Sequence, residues 1–599
     1  MCERAGIAKK ISGLVPSVTQ ALCRGHCPDG TFIESPCASG CPHLQQKDIS
    51  GPHVVFTSHA YLTVNLPVDR EYRIALRVID EKVWPTLTRT SYLSIDDFMR
   101  TPPGSIPESS CHQLLRAKDA IVDGLQRGLP LHDHLRESGI STDALLRFAA
   151  AEERSLQQLE IGPWQSVETA TFRVDTFDTG PFLAARRRQQ LFERLAEKES
   201  GYCPGVRLTE QETSHGSRRV IQLSGLHHLK RDAPLLLLDA DAHPDITEQI
   251  APGAVFVSLQ SPPRADIVQV SDLTLSNSWL LHPEDGAKRR AGILGVIRRE
   301  VLRAAGGGVL VVATRAVLKA LHEDVGNPIA GSGDEGLKQP LMGADARWFG
   351  PRTQGVNDFE GFAAIVIVGR LQPRIGDIET AARAVFSRDE LPITAHVSGS
   401  LPSTDAQMLM QDGSFQKALL RAHPDPRAQA ILAQSRECAT LQAIARLRLV
   451  APDRTKRVVI MSSLPLPDFP ITRLSTLAAL EKNLEHEPDW RGAVRIEKAL
   501  QAFDGRPVRG TRLSATGLNM DLPLHFETED SARRFRRGRT TSHLVGLCRR
   551  AAAAKGWPIT ALLLRRENGG KAVPAIVLED HAPLDLAAVL WPDLTPQLA

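Results

Sequence analysis

The sequence predicts an α/β protein built on parallel sheets and interrupted by an all-helical stretch. Three observations carry that expectation. Short apolar runs at Leu235–Leu238, Val309–Ala313, Ala363–Gly369 and Arg457–Met461 alternate with segments of helical periodicity, the pattern of parallel strands covered on both faces. Between about residues 100 and 200 the period changes, and Leu145–Leu159 and Pro181–Lys198 set apolar residues at helical spacing among dense charge. The 599 residues are 42% hydrophobic and 24% charged, which excludes wholesale disorder and leaves room for about three to five domains. No run of about 18 uncharged apolar residues occurs, so no membrane span is expected. The N-terminus lacks the apolar core of a signal peptide, and the expected location is cytoplasmic. Lys plus Arg is 72 against 69 for Asp plus Glu, a net charge of +3. Only local clustering of charge can therefore point to a nucleic-acid partner.

Taken in order, the first informative element is a cysteine cluster. Cys23, Cys27, Cys37 and Cys41 form C-x3-C-x9-C-x3-C, with His26 and His43 within or beside it. A disulfide framework needs an oxidising compartment, which nothing in the sequence indicates. Paired thiolates separated by short turns are what a tetrahedral zinc site or an iron–sulfur cluster requires, and the ligands leave zinc or iron open. Cys111, Cys203, Cys438 and Cys548 stand alone as core or surface thiols. His53–Leu62 reads as a strand leading into a loop, and Ile74–Glu81 as a strand ending in two acids. In the helical stretch, His132-Asp-His134 is expected at the surface, and Arg186–Arg188 reads as a solvated helix face. Strands return at Arg219–Leu223 and Leu235–Leu238. A helix near Ala287–Ala304 and another over Pro424–Leu447 separate the later strands. The last 130 or so residues are mixed. Their basic island, Arg533, Arg534, Phe535, Arg536, Arg537 and Arg539, sets five arginines around one aromatic. Arginines on phosphates with a ring for stacking suit single-stranded DNA, although an exposed loop or tail is an equal reading.

The chemistry is carried by three short motifs. An apolar strand ending in Asp80-Glu81 has the form of a Walker B motif, in which the Asp holds Mg2+ through water and the Glu activates the water that attacks the γ-phosphate. Gly355, Asn357 and Asp358 lie in a polar loop before the buried strand that starts at Ala363. Gln442, Arg446 and Arg448 end a helix, where an arginine can neutralise charge on a transferring phosphoryl group.

The order of these pieces resembles the superfamily 2 helicases, and most closely the iron–sulfur branch of xeroderma-pigmentosum-D-like and damage-inducible-G-like enzymes. Relatives carried on mobile elements show similar departures from the pattern. On this resemblance Asp80 and Glu81 match motif II, with Lys82-Val83 in place of the usual Ala-His. Leu238–Asp241 stands where motif III belongs and keeps only Ala240, and Val309–Leu321 looks like motif IV. Gly355, Asn357 and Asp358 match motif V as nucleotide-side residues, and Gln442, Arg446 and Arg448 match motif VI, with Ala445 for Gly. The resemblance implies two RecA-like parallel-sheet domains, the first incomplete, with a helical insertion and a C-terminal accessory domain. The implied division is a metal module at 1–50, first-domain parts at 51–100 and 216–285, the insertion at 101–215, the second domain at 286–470 and the accessory domain at 471–599. It also implies ATP with Mg2+, a [4Fe-4S] cluster or zinc on the four cysteines, and DNA, single-stranded or forked, as partner. No G-x-x-x-x-G-K-[ST] occurs. The expected activity is therefore that of a DNA helicase or nucleic-acid-dependent ATPase that is shortened, takes its phosphate loop from a separate chain or is degenerate, with no robust hydrolysis by this chain alone.

Two other classes stay open. One is a non-catalytic DNA-binding or scaffold protein of helicase fold. The other is a metal-dependent hydrolase: Asp239, Asp241, His243 and Asp245 resemble the strand-end manganese motif of arginase-like ureohydrolases, though the other ligand motifs of that family are missing.

Overall fold

The computed structural model describes all residues except 1–3, 28, 46–50, 64–72, 101–105, 215, 228, 230–232, 260, 328–333, 351–357, 485–488, 502–505, 567–569 and 580. The chain folds as two compact units. The first comprises Met1–Gln260, Leu371–Asp405 and Leu419–Ala439, and the second Ser261–Arg370, Ala406–Ala418 and Thr440–Ala599. Among the described residues no helix is long and apolar enough to cross a membrane.

The α/β class is clearest in the second unit. Six strands lie side by side in the order Asp345–Trp348, Val309–Ala313, Ala364–Val368, Lys456–Met461, Ala265–Val270 and Arg473–Ser475, and every neighbouring pair is parallel. Val309–Ala313, Ala364–Val368 and Lys456–Met461 are buried at every position, as strands covered on both faces must be. Gly286–Arg303 and Arg315–Asp324 supply helices against this sheet, and Ile293, Ile297, Leu318 and Leu321 enter its core. A parallel sheet of this kind fits a RecA-like domain. It also reaches beyond the expected 286–470 segment, because Ala265–Val270 pairs with Lys456–Met461 and Arg473–Ser475 pairs with Ala265–Val270.

The helical stretch forms five helices, Glu108–Arg127, Leu131–Glu137, Thr142–Arg154, Val167–Thr176 and Thr179–Ala196. Ser141 and Ser166 cap two of them by accepting from Ala144 N and Thr169 N. Gly128, at φ 64°, ends the first in the left-handed conformation that glycine adopts without a Cβ clash. Phe98, Phe148 and Phe192 meet in their common core. That core is closed by an antiparallel sheet of Thr88–Ser94, Gly216–Leu226 and Val206–Thr213.

Two surface expectations fail here. His132 is buried, and burial holds its imidazole below the usual histidine value. Arg188 is buried against Glu152 while Arg186 stays exposed. In both cases a helix of moderate amphipathicity turns one polar position inward, which a run of like residues does not reveal.

Leu371–Asp405 and Leu419–Ala439 pack in the first unit although they lie between strands of the second unit's sheet in sequence. The reason is apolar complementarity: Ile378, Ala382, Val385, Phe386 and Ile431 share a core with Ile79, Leu87, Ile246 and Ile250. The segment after 476 gathers in the second unit around an antiparallel sheet ordered Gly510–Arg512, Val573–Val577, Thr560–Arg565 and Thr595–Leu598.

Candidate functional site

In the first unit, Arg77–Asp80 and Leu235–Leu238 pair in parallel, with Asp80 opposite Leu238. The two acid-bearing motifs that the sequence offered as rivals, Asp80-Glu81 and Asp239–Asp245, therefore leave neighbouring strands at the same carboxyl end. Ligands of open α/β sheets bind at such ends. His53–Leu62 contributes a short 3-10 turn, His59–Leu62, where a strand was expected. It still reaches the site, since His59 Nε2 lies 2.8 Å from Asp80 O.

Glu81 is held in a left-handed backbone conformation, φ 67°, by donating its N–H to Leu238 O at 2.8 Å. For a non-glycine residue that conformation costs about 1–2 kcal/mol, and such strain concentrates at functional positions. The turn brings Glu81 to a small cleft, lined also by Asp239, His243, Val83, Trp84 and Gln434. Asp80 is exposed and does not line it.

Behind the cleft, the buried Gln434 ties the strand-end loops together. Its side-chain amide donates to Asp241 O, and its backbone carbonyl accepts from Lys82 Nζ at 2.5 Å. Asp239 Oδ1 accepts from Asp241 N at 3.0 Å, forming the turn that carries His243. Burial, followed by the Asp241 carboxylate, pushes the Cys438 thiol up to about 12, which leaves it protonated and unreactive. Sequence reasoning missed Lys82 and Gln434. They lie 352 residues apart, and no local spacing announces their contact.

A carboxylate at a strand end beside a second carboxylate and an imidazole can hold a water-bound divalent cation and orient water. The four-ligand manganese constellation does not form. Among the described residues no three His, Cys, Asp or Glu side chains gather closely enough to hold a metal directly, and His243 Nδ1 stands 4.0 Å from Asp245 Oδ2. Asp245 is exposed at the start of the following helix, Pro244–Ile250.

The cysteines sit on one hairpin and the turn after it. Cys23 and Cys27 flank the strand Arg24–His26, which pairs with Phe32–Glu34. Cys37 Sγ lies 3.4 Å from Ser35 Oγ, and Cys41 N donates to Ala38 O. All four thiols are half-buried. The donor set is the right one for zinc or an iron–sulfur cluster, but no three of these thiols converge on a common centre.

The remaining sequence-predicted residues lie in the second unit. Gly355 and Asn357 fall outside the described residues, and Asp358 is exposed in the turn before Phe359. Gln442 is half-buried near the end of the helix Pro426–Ala445, and Arg446 is half-buried just beyond it. Arg448 is exposed with φ 53°. The basic island forms the helix Glu529–Arg536 and its exit. Phe535 is not available for base stacking. It is 5% exposed, packed edge-on to Phe526 at 5.1 Å, because it is the apolar position of an otherwise charged helix. Arg533 pairs with Glu529 at 2.8 Å, and Arg534 reaches Asp530 at 3.6 Å. Arg536 and Arg537 close the helix.

No known protein family matches the sequence, and no curated protein matches it. Among solved structures, Xpd4 from S. tokodaii matches over 71% of this chain and 77% of its own, with 11% identity and a TM-score of 0.28.

Proposed function

We propose that the chain is a helicase-type, nucleic-acid-dependent ATPase component that acts on DNA together with a separate phosphate-binding chain. The observation that carries this reading is the placement of Glu81, held in strained backbone at the carboxyl end of a parallel strand pair and facing a cleft. In this reading Asp80 and Glu81 manage the Mg2+ of ATP and the attacking water. Gly355, Asn357, Asp358 and Gln442 contact the nucleotide side, and Arg446 and Arg448 neutralise the γ-phosphate. In this reading a separate chain supplies the contacts to the β- and γ-phosphates that a Walker A loop makes. One face of the strand pair leaves Val78, Leu236 and Leu238 about half exposed, which fits a further element packing over that face.

The test is ATP hydrolysis by the chain purified together with its phosphate-binding partner, with and without single-stranded DNA, beside Glu81→Gln; the chain alone is expected to bind DNA without robust turnover. DNA-stimulated turnover should fall by about 100-fold or more in the variant, the range for loss of a positioned general base. Turnover that Glu81→Gln leaves intact would remove Glu81 from the reaction. No turnover with salt-sensitive DNA binding would instead favour the non-catalytic scaffold.

The four thiols belong to the same reading, as ligands that a metal would draw together. A chain purified without oxygen is expected to carry iron or zinc, and Cys27→Ser with Cys37→Ser should lower that content at least tenfold. Equal metal in the wild type and the double variant would dismiss the site.

A further inference from the structure

The helices Trp490–Ala499 and Glu529–Arg536 of the second unit border an open recess lined by Arg491, Gly492, Arg495, Arg534, Phe535 and Arg539. We infer that this recess is a binding site for a phosphomonoester or diphosphate group, formed by the guanidinium groups of Arg491, Arg495, Arg534 and Arg539 over the ring of Phe535. The site is distinct from a linear basic strip along 533–537: two of its four arginines come from a helix about forty residues upstream, and Arg533, Arg536 and Arg537 take no part in it.

Two of the arginines are fixed before any ligand arrives. Arg495 donates to His525 O at 2.6 Å and to Ser531 Oγ at 2.9 Å, and its guanidinium lies 4.4 Å from the Phe526 ring and 5.4 Å from that of Phe535. Among the described residues it forms no ion pair with a carboxylate. Arg539 lies over the Phe535 ring at 4.4 Å and donates to Phe535 O and to Asp489, whose Oδ1 is 2.6 Å away. Arginine stacked on aromatic faces keeps its fork pre-organised, so less freedom is lost when it bonds an oxyanion.

Charge points the same way. Four arginines line the recess; among the described residues Asp489 bonds Arg539 and His543, and the exposed Asp530 lies 3.6 Å from Arg534. Burial, then Arg539 and Arg534, lower the pKa of Arg495, so an anion in the recess would relieve repulsion already present. Planar forks converging on one small space match the oxygens of a phosphate better than a lone carboxylate.

The phosphate could belong to a free nucleotide or to the end of a nucleic-acid strand, and the experiment separates them. Inorganic pyrophosphate would be titrated calorimetrically into the full chain, beside single-stranded oligonucleotides carrying a 5′-phosphate or a 5′-hydroxyl. The double variant Arg491→Gln with Arg534→Gln is the control, since neither residue is part of the buried core, and Arg533→Gln outside the recess serves as a second. Pyrophosphate should bind, and the double variant should weaken it at least tenfold while Arg533→Gln leaves it within twofold. A preference for the 5′-phosphorylated strand that the double variant abolishes would identify a strand end as the ligand. Equal affinity for both strands, with pyrophosphate binding retained, would identify a free nucleotide. No pyrophosphate binding by a chain with an unaltered circular-dichroism spectrum overturns the inference, as does equal weakening by Arg533→Gln. Neither result bears on Glu81 or on ATP turnover.

Discussion

Replacing Glu152 with glutamine is expected to destabilise the first unit by about 3–5 kcal/mol, the cost of leaving one partner of a buried ion pair uncompensated. Glu152 is 1% exposed in its side chain and accepts from Arg188 Nε at 2.8 Å. Arg188 is fixed further by donating to Asp97 O at 2.9 Å. A second cation depends on the same carboxylate. Lys118 is fully buried and donates to Arg100 O at 3.0 Å. Burial pushes its ammonium down to about 8, while Glu152 pulls it back up and Arg188 pushes it down.

The sign of the pH effect follows from linkage. An unfolded lysine holds its proton to about pH 10.4, so between pH 8 and 10 the unfolded chain binds more protons and stability rises with pH. The deficit of Glu152→Gln should therefore shrink as Lys118 loses its charge. Urea unfolding at pH 7 and pH 9.5 checks this, read as a lower midpoint at unchanged slope. A midpoint equal to that of the wild type at pH 7 would mean that the pair contributes nothing. Glu152→Leu with Arg188→Met should recover most of the loss, because apolar replacement of a whole buried pair is often neutral.

The second large effect is expected at Glu379, on the helix Ile375–Val385 that packs against Gly216–Leu226. Its Oε1 accepts from His396 N at 2.6 Å and lies 3.4 Å from His423 Nε2. Oε2 accepts from Arg383 at 2.8 Å. Glu379, Arg383 and His423 are all at least nine-tenths buried. Burial alone would raise the carboxyl pKa, but the His396 N–H, Arg383 and His423 outweigh it and hold it below the ordinary glutamate value. A lowered carboxyl contributes stability that is present above about pH 4.3 and is lost as pH falls through the folded value. Glu379→Gln should cost about 3 kcal/mol or more at pH 7 and flatten the acid limb of the stability profile. Equal acid dependence in wild type and variant would assign the acid transition to other groups. Asp425 is the nearest alternative: burial alone would raise its pKa, but Arg427 with the Thr394 and Arg427 N–H groups outweighs burial and holds it below the ordinary aspartate value.

What was legible in the sequence is what depends on neighbours along the chain. Uninterrupted apolar runs located Val309–Ala313, Ala364–Val368 and Lys456–Met461 to within a residue or two, because a strand buried on both faces has no polar position to blur its limits. Helical periodicity located Gly286–Arg303 and Thr179–Ala196 in the same way. Acids just past a strand marked Glu81. The strand order, the return of Leu371–Asp405 to the first unit and the inward turn of Phe535 were not legible, since each depends on which apolar surfaces find one another.

The sequence by itself determined the element types and the acid pair at a strand end. Only the tertiary structure decided that Glu81, Asp239 and His243 line one cleft. The parallel register of Arg77–Asp80 on Leu235–Leu238 sets their ends side by side, and Gln434, from a third segment, fastens them. The four arginines of the phosphate recess likewise come together only when Phe526 and Phe535 pack. Hydrogen bonds across a register and burial of apolar area act between residues hundreds of positions apart, and neither leaves a local mark in the chain.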